Sequence, residues 1–333
     1  MDIEMLRERA RIISLVRAFF NDRGYLELDT PLLSPDLIPE SCLEVFETRR
    51  ILPGGKSAPY WLIPSPEIWM KKIIARHRVN VFQICKCFRN GESSGFLHNP
   101  EFTMLEYYTI DADYMDSLAI TEELFEHLIQ NLFSHSSAFS APPRLCESHL
   151  TDGLFDRITV AEAFARYANF DLFEAAEKKG GLEKEARRLG LDPPPGTGVP
   201  ELYDLIFIHA VEPQLKQDRP VALLDYPAFV PCLAKKNANG KTVQRWELYY
   251  NGVELANCFS EETEANEVQA FFENETAAKE RQALVKHTVD NEYWKIFSEK
   301  NFPRCSGVAM GLDRLIMALL GRSTIDSVLP FPM

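Results

Sequence analysis

Residues 81–108 read VFQICKCFRNGESSGFLHNPEFTMLEYY, a segment that predicts two strands joined by a polar, glycine-bearing loop. The first strand ends at Arg89. In the second strand Phe102, Glu106 and Tyr108 lie on one face, because the side chains of a strand alternate with period two. A ring, a carboxylate and a phenol with a guanidinium beside them can together stack a base, hold a phosphate and bind an ammonium group.

Size and composition narrow the class of protein. The 333 residues, of which 46% are hydrophobic, can build one large domain or two ordinary ones. A net charge of −13 argues weakly against a polyanionic main ligand, because phosphate contacts need lysine and arginine. The seven cysteines are odd in number and form no C-x-x-C pair, which predicts reduced thiols. No stretch approaches the roughly 20 apolar residues of a membrane helix, and the N-terminus lacks a signal-peptide pattern, so we expect a cytoplasmic protein.

The order of predicted elements indicates the fold class. Apolar residues at helical spacing predict helices near residues 2–23, 116–133 and 263–286. Hairpins and irregular helical stretches, without a regular βαβ alternation, predict an α+β fold in which helices flank a mostly antiparallel sheet. We expect one domain over residues 1–333, with a helical insertion at about 150–220 and a polar loop over 134–150. Further strands are predicted at 60–64, 221–225, 246–250, 253–259 and 306–311.

A second hairpin is predicted where residues 246–259 read WELYYNGVELANCF. The Asn-Gly pair at 251–252, between two β-rich runs, is the strongest short-range hairpin signal. A regular two-residue turn places Glu247 opposite Ala256, and it sends Glu247 and Glu254 to the same face. Two close carboxylates repel unless a cation lies between them, and Mg²⁺ fits carboxylate and phosphate oxygens. The alternative is a solvated edge face.

Asn257 follows the same hairpin, but its parity differs from that of Glu254. A regular strand therefore cannot send both side chains into one site. A bulge or a strand end near Ala256 is required if both reach it.

The C-terminal segment, residues 305–315, reads CSGVAMGLDRL and predicts a strand followed by a helix. Its glycines permit close approach of the backbone to a ligand. Arg314 falls in the first helical turn, where it can cover a nucleotide or a phosphate. The alternative is an ordinary Asp–Arg pair at the surface.

Together these segments resemble the motifs of class II aminoacyl-tRNA synthetases, in particular the lysyl branch. Residues 25–31 resemble motif 1, which belongs to that family's dimer interface, and so imply a homodimer. Residues 88–106, with the run HNPEFTMLE, resemble motif 2, and residues 307–314 resemble motif 3. The resemblance covers nearly the whole chain and implies ATP and Mg²⁺ as cofactors.

The resemblance also implies roles for individual residues. Arg89 would be the catalytic residue that grips the α-phosphate and the amino-acid carboxylate, and Glu247 and Glu254 would hold Mg²⁺. Phe102 would stack the adenine against Arg314. The implied ATP-binding residues are Arg89, Glu92, His98, Asn99, Phe102, Glu254, Leu255, Gly311 and Arg314. The implied residues for a lysine substrate are Ser65, Glu67, Glu106, Tyr108, Asn257, Phe259, Glu261 and Ala309.

Three departures from the lysyl enzymes point to a subfamily. Because residues 25–31 lie near the start of the sequence, we expect no anticodon-binding OB domain before motif 1. Gly91 stands where an ATP-contacting glutamate is expected, with Glu92 as a replacement shifted by one residue. Ala309 and Cys258 each take the place of a glycine. The missing domain and Ala309 resemble the elongation factor P–lysine ligase subfamily, which activates a lysine, preferably (R)-β-lysine, and transfers it to a lysine ε-amino group of elongation factor P.

The function that these features indicate is an ATP-dependent ligase that loads lysine or β-lysine onto elongation factor P, with no membrane partner and no tRNA acceptor expected. One alternative is an adenylating ligase that loads lysine on tRNA or another acceptor. The other is a non-catalytic paralogue that binds lysine or ATP. Retention of Arg89, Glu247, Glu254 and Arg314 speaks against the last, because a sensor need not keep a full ATP–Mg²⁺ set.

Overall fold

A computed structural model describes residues 2–92, 95–133, 153–215, 218–298 and 302–333. The loop predicted over 134–150 lies outside the described residues. Six of the seven cysteines fall within them and form no disulfide there, as expected for reduced thiols.

The secondary structure follows the predicted order. The strands are β1 Leu26–Glu27, β2 Leu33–Ser34, β3 Glu47–Ile51, β4 Ser57–Leu62, β5 Val81–Phe88, β6 Glu101–Ile110, β7 Asp156–Thr159, β8 Val221–Leu224, β9 Arg245–Tyr250, β10 Val253–Ser260 and β11 Cys305–Gly311. The α-helices are α1 Ile3–Asp22, α2 Glu67–His77, α3 Tyr114–Phe133, α4 Val160–Ala163, α5 Leu172–Glu177, α6 Gly181–Arg188, α7 Val199–Ile206, α8 Ala265–Gln282, α9 Lys295–Ser298 and α10 Leu312–Leu319.

One large sheet organises the molecule, with the strand order β1-β5-β6-β11-β10-β9-β8-β7. Its two outermost pairings, β1 with β5 and β7 with β8, are parallel, and the pairings between them are antiparallel. A smaller sheet has the order β2-β4-β3. The α+β fold with helices flanking a mostly antiparallel sheet is confirmed.

Helix α1 covers one face of this sheet. Its apolar residues recur at helical spacing, so Ile12, Val16 and Phe20 are all fully buried. The Phe20 ring stacks on Phe82 of β5, with 5.0 Å between the ring centroids. Each such side chain contributes about 1.5–3 kcal/mol by leaving water, so the helix is held mainly by its contact with the sheet.

A buried ion pair ties α1 to the C-terminal helix. Arg9 Nη2 lies 2.6 Å from Asp313 Oδ1 and donates to Thr103 Oγ1 at 2.9 Å. The Thr103 backbone N–H donates to Asp313 Oδ2 at 2.6 Å. Because the Asp313 side chain is only 1% exposed, this network fixes α10 against β6 with little competition from water.

The segment between β7 and β8 is helical, from α4 at Val160–Ala163 through α7 at Val199–Ile206. These helices pack with β7, β8 and β9 around their own apolar cluster, which includes Phe164, Tyr203 and Phe207. The division of the chain into one domain with an insertion at about 150–220 stays a prediction. Within the described residues, no helix has the length and apolar character needed to cross a membrane.

The second hairpin contains the bulge that the parity of Asn257 required. The turn residues at 251 and 252 both have positive φ, of 53° and 79°, as an Asn-Gly hairpin turn demands. The register then shifts by one residue between Glu254 and Ala256, so Glu247 pairs with Asn257. The predicted pairing of Glu247 with Ala256 is wrong, because the extra residue of the bulge displaces every later pair.

Candidate active site

The three predicted motif segments meet in the middle of the large sheet, where β6, β11 and β10 are neighbours. Glu106 of β6 pairs with Ala309 of β11, Ala309 pairs with Asn257 of β10, and Asn257 pairs with Glu247 of β9. Residues directly opposite one another share a face of the sheet. One row of side chains, from Glu106 to Glu247, therefore crosses four strands, and the bulge is what brings Asn257 into it.

A first cavity, called here the Arg314 cavity, contains every residue that the resemblance assigns to ATP binding. The predicted members in its lining are Arg89, Glu92, His98, Asn99, Phe102, Glu254, Leu255, Gly311 and Arg314. Sequence segments more than 200 residues apart along the chain thus converge as the motifs predict.

Arg89 lies across the aromatic side of this cavity. Its guanidinium carbon is 5.3 Å from the centroid of the Phe102 ring, and its backbone N–H donates to the Pro100 carbonyl at 3.0 Å. The Arg89 Nε is buried and has no hydrogen-bond partner among the described residues. A buried, unpartnered guanidinium nitrogen is a donor suited to a phosphate or carboxylate oxygen.

Glu92 and His98 lie next to Arg89 at the same cavity. Glu92 Oε2 is 3.4 Å from His98 Nε2, and Glu92 Oε1 is 3.9 Å from Arg89 Nη1. Burial, followed by the Arg314 guanidinium, lowers the pKa of His98 below its usual value, which favours a neutral imidazole. The shifted glutamate of the motif 2 loop therefore does face the cavity.

Arg314 is oriented by two backbone carbonyls. Its Nη1 donates to the Glu254 carbonyl at 3.0 Å, and its Nε donates to the Leu97 carbonyl at 3.3 Å. The side chain is thereby held between the motif 2 loop and β10, in a position to cover a planar ligand.

The two glutamates predicted to hold Mg²⁺ are placed differently. Glu254 lines the Arg314 cavity, and burial and the neighbouring Glu247 carboxylate raise its pKa. Glu247 is absent from that lining, and both of its oxygens are already used: Oε1 pairs with Arg245, while Oε2 accepts from Tyr226 at 2.5 Å and from Tyr249 at 2.7 Å. The oxygen of Glu254 suits Mg²⁺, but Glu247 fits the ion only if it releases these partners.

A second cavity, called here the Glu106 cavity, contains every residue predicted to bind the lysine-like substrate. The predicted members in its lining are Ser65, Glu67, Glu106, Tyr108, Asn257, Phe259, Glu261 and Ala309. Arg89, Met104, Asn257 and Ala309 line both cavities, so the two meet at the Arg89 guanidinium.

Glu106 is the most deeply placed acceptor of the second cavity. The residue is 2% exposed, and its Oε1 accepts a hydrogen bond from the Tyr108 hydroxyl at 2.7 Å. Its Oε2 is buried without a partner in the described residues. Burial, and then the Glu67 carboxylate, raise the pKa of Glu106 well above its usual value. An incoming ammonium group would satisfy Oε2 and stabilise the charged carboxylate.

The absence of a side chain at Gly307 leaves the space that the Glu261 and Tyr108 side chains occupy. A Cβ added at Gly307 would lie 2.4 Å from Tyr108 Cε1 and 2.6 Å from Glu261 Oε1. Burial raises the pKa of Glu261 to about 7, although Lys71 opposes that rise. The glycine of motif 3 is therefore needed because two side chains that line the Glu106 cavity close over it.

Sequence reasoning missed three charged residues of the site. Lys71 bridges Glu67 and Glu261, with 2.6 Å from its Nζ to an oxygen of each. Arg245 donates from Nε to Asn257 Oδ1 at 3.2 Å. Glu40, outside the motifs, lines the Glu106 cavity, and burial followed by Glu67 raises its pKa to about 7. The spacing of Lys71 four residues after Glu67 on one helix was the available signal.

The fold and the converging motifs define a class II synthetase catalytic domain. The family model for tRNA synthetases class II (D, K and N) matches residues 3–333, and the chain belongs to this family. Among curated proteins, the chain is similar to the elongation factor P–(R)-β-lysine ligase of Avibacterium paragallinarum, with 35% identity over 99% of this chain and 95% of the relative. Ligases of the same name from Proteus mirabilis (strain HI4320) and Mannheimia succiniciproducens are each 33% identical over the same shares. The resemblance stated from the motifs is confirmed.

Proposed function

We propose that this chain is an ATP-dependent ligase that activates lysine, preferably (R)-β-lysine, as an aminoacyl adenylate and transfers it to a lysine side chain of elongation factor P. The observation that carries the proposal is the junction at Arg89. At this residue the Arg314 cavity, which has an aromatic ring and guanidinium groups, meets the Glu106 cavity, which has buried carboxylates. The names of the curated relatives support the same substrate and acceptor.

Activation joins the amino-acid carboxylate to the α-phosphorus of ATP and expels pyrophosphate. Arg89 faces both cavities, so its guanidinium is suited to hold the attacking carboxylate and the α-phosphate together and to neutralise charge as it develops. Phe102 and Arg314 would hold the adenine between them. A bound Mg²⁺ would neutralise the phosphates, with Glu254 as its first protein ligand and Glu247 as a ligand only after it parts from Arg245.

The amino groups of the substrate are received by the Glu106 cavity. Glu67 would accept the α- or β-amino group, and Tyr108, Glu106 and Glu261 the side-chain ammonium. Glu106 Oε2 is buried without a hydrogen-bond partner in the described residues. A substrate side chain without a positive charge would leave it so and would bind poorly. Ala309 adds one methyl group to the floor between the two cavities, which supports a preference for the β-isomer.

Transfer follows when the uncharged ε-amine of the acceptor lysine attacks the adenylate carbonyl. A C–N bond forms, the bond to the phosphate oxygen breaks, and AMP leaves while the amine loses a proton. No protein nucleophile takes part. A homodimer, the cytoplasm as location and the exclusion of tRNA as acceptor are further parts of this proposal, and sedimentation tests the dimer.

Amino-acid-dependent exchange between ATP and pyrophosphate tests the first half-reaction, with α-lysine and (R)-β-lysine compared side by side. Transfer is then measured as a mass increase of elongation factor P. Arg89→Met should abolish exchange. If no amino acid supports exchange, the ligase proposal fails; if exchange occurs without transfer to elongation factor P, only the acceptor is wrong.

A further inference from the structure

Lys71 is a charged residue beside the Glu106 cavity that is fully buried and belongs to none of the three predicted motifs. It lies on α2 and is 0% exposed. Neither the Arg314 cavity nor the Glu106 cavity includes it in its lining. A lysine ammonium is rarely buried completely unless opposite charges surround it, so its position calls for a reason.

The contacts of Lys71 supply that reason. Its Nζ lies 2.6 Å from Oε1 of Glu67 on the same helix and 2.6 Å from Oε2 of Glu261, the residue that follows β10. Both glutamates line the Glu106 cavity. The other oxygen of Glu261, Oε1, faces Gly307 in the cavity wall, 2.6 Å from the position of a Cβ there. Lys71 therefore contacts Glu261 at Oε2, on the side away from Gly307, and Oε1 is left to face the cavity.

Without this ammonium, the two carboxylates would be close neighbours in a buried site. Like charges at such a distance cannot both stay ionised, and one of the pair takes up a proton. A protonated carboxyl binds an ammonium group much less well than a carboxylate does. The bridge thus favours the charged form of Glu261, and it also fixes the spacing between α2 and the end of β10.

We infer that Lys71 is a positioning residue for substrate recognition: its ammonium pairs with both Glu67 and Glu261 and holds the two carboxylates correctly spaced for the two amino groups of a lysine-like substrate. The inference rests on the proposed function, since it concerns the same cavity. Lys71 acts through the two glutamates and does not touch the substrate. Its loss should therefore raise the KM for the amino acid and leave the KM for ATP unchanged.

The pH dependence follows from the groups around Glu261. The titratable groups that interact with Glu261 are Glu67 and Lys71 of α2, Tyr108 of β6, Cys258 of β10, Glu262, Tyr293 and Cys305. Glu106 lines the same cavity. Burial raises the pKa of Glu261 to about 7, and the Lys71 ammonium opposes that rise. Removing the cation raises that pKa, so the carboxylate ionises only at higher pH. The acid limb of kcat/KM for the amino acid, which reports the free enzyme, must then move to higher pH.

The experiment compares Lys71→Met with Lys72→Met in amino-acid-dependent pyrophosphate exchange from about pH 6 to about pH 9. Lys72 is the adjacent residue of the same helix, is partly exposed and pairs outside the cavity with Asp290 at 2.6 Å. For Lys71→Met we expect the amino-acid KM to rise about tenfold or more and the acid limb to rise by about one pH unit or more. Lys72→Met should show neither change.

A Lys71→Gln variant is made in case Lys71→Met does not fold. The glutamine amide can still donate a hydrogen bond to one glutamate, although the positive charge is lost. This variant should show the same shift of the acid limb, with an unchanged ATP KM. Equal acid limbs in the unmutated protein and a folded Lys71 variant would overturn the inference, as would equal rises in the KM for ATP and for the amino acid. Absence of exchange in the unmutated protein would instead overturn the proposed function, and the inference with it.

Discussion

Replacing Gly307 by alanine tests the geometry of the substrate cavity with a single methyl group. The added Cβ would lie 2.4 Å from Tyr108 Cε1 and 2.6 Å from Glu261 Oε1, both well inside van der Waals contact. Tyr108 is buried in the core and cannot yield easily. Glu261 must therefore move, and it does so against its ion pair with Lys71.

The size of the effect follows from these two neighbours. Overpacking a buried site costs about 1–3 kcal/mol of folding free energy. Loss of one hydrogen bond to a charged group costs a further 1.5–3 kcal/mol, approximately, in the substrate complex. A rise of roughly 10- to 150-fold in the amino-acid KM corresponds to that second figure, whereas the ATP KM should stay unchanged, because Gly307 is not part of the Arg314 cavity.

Gly311→Ala provides the matched control on the same strand. There the added Cβ meets Arg314 side-chain carbons at 3.6–3.8 Å, which is ordinary contact. The control should keep the melting temperature and the amino-acid KM of the unmutated protein, although Gly311 lines the Arg314 cavity. Pyrophosphate exchange with each substrate varied in turn gives the KM for the amino acid and the KM for ATP, and thermal unfolding gives the melting temperature. If both variants gave the same amino-acid KM, Glu261 and Tyr108 would not bind the substrate as proposed.

Four further outcomes are expected. Phe102→Ala removes adenine stacking worth about 1–3 kcal/mol and should raise the ATP KM about tenfold with the amino-acid KM unchanged. Glu254→Gln should raise the Mg²⁺ concentration for half-maximal exchange about tenfold, measured by titration of the metal, and equal titrations would contradict its role. Ala309→Gly should lower the ratio of kcat/KM for (R)-β-lysine over α-lysine about tenfold, since one methyl group discriminates by that order. Arg9→Met leaves Asp313 buried without its cation and should lower the free energy of unfolding in urea by about 3 kcal/mol.

The elements that could be predicted from the sequence are those with a local signal. Alternation in β6 assigned Phe102, Glu106 and Tyr108 to one face, and these residues do line the two cavities. The Asn-Gly pair located the second hairpin. Its strand register was predicted correctly only up to the bulge at residue 255. Whether β10 can hold an extra residue there depends on how it pairs with β9 and β11, which the local sequence does not show.

The residues that could not be predicted are defined by contacts distant in sequence. Lys71 reads as an ordinary helical lysine until β10 brings Glu261 to it. Arg9 meets Asp313 only after both ends of the chain pack on the same sheet. Burial of charge has no local signature, since the same residue types usually occupy solvated positions. The sequence therefore predicted the three motifs, but it did not predict the buried charged residues that pack beside them, such as Lys71 and Arg9.

Strand β11 forms the floor of the candidate site, and its small residues line different parts of the two cavities. Gly307, Ala309 and Gly311 of β11 are two residues apart and so share a face. Gly307 lines the Glu106 cavity, Gly311 lines the Arg314 cavity, and Ala309 lines both. The floor is thus bare at each end and carries one methyl group at the junction, between Glu106 and Asn257. In the proposed binding mode Glu261 and Arg89 hold the two ends of the substrate, so a methyl group between them would act on the part of the chain where α- and β-lysine differ. Discrimination between the isomers should therefore respond to Ala309 more strongly than to any residue at the ammonium end.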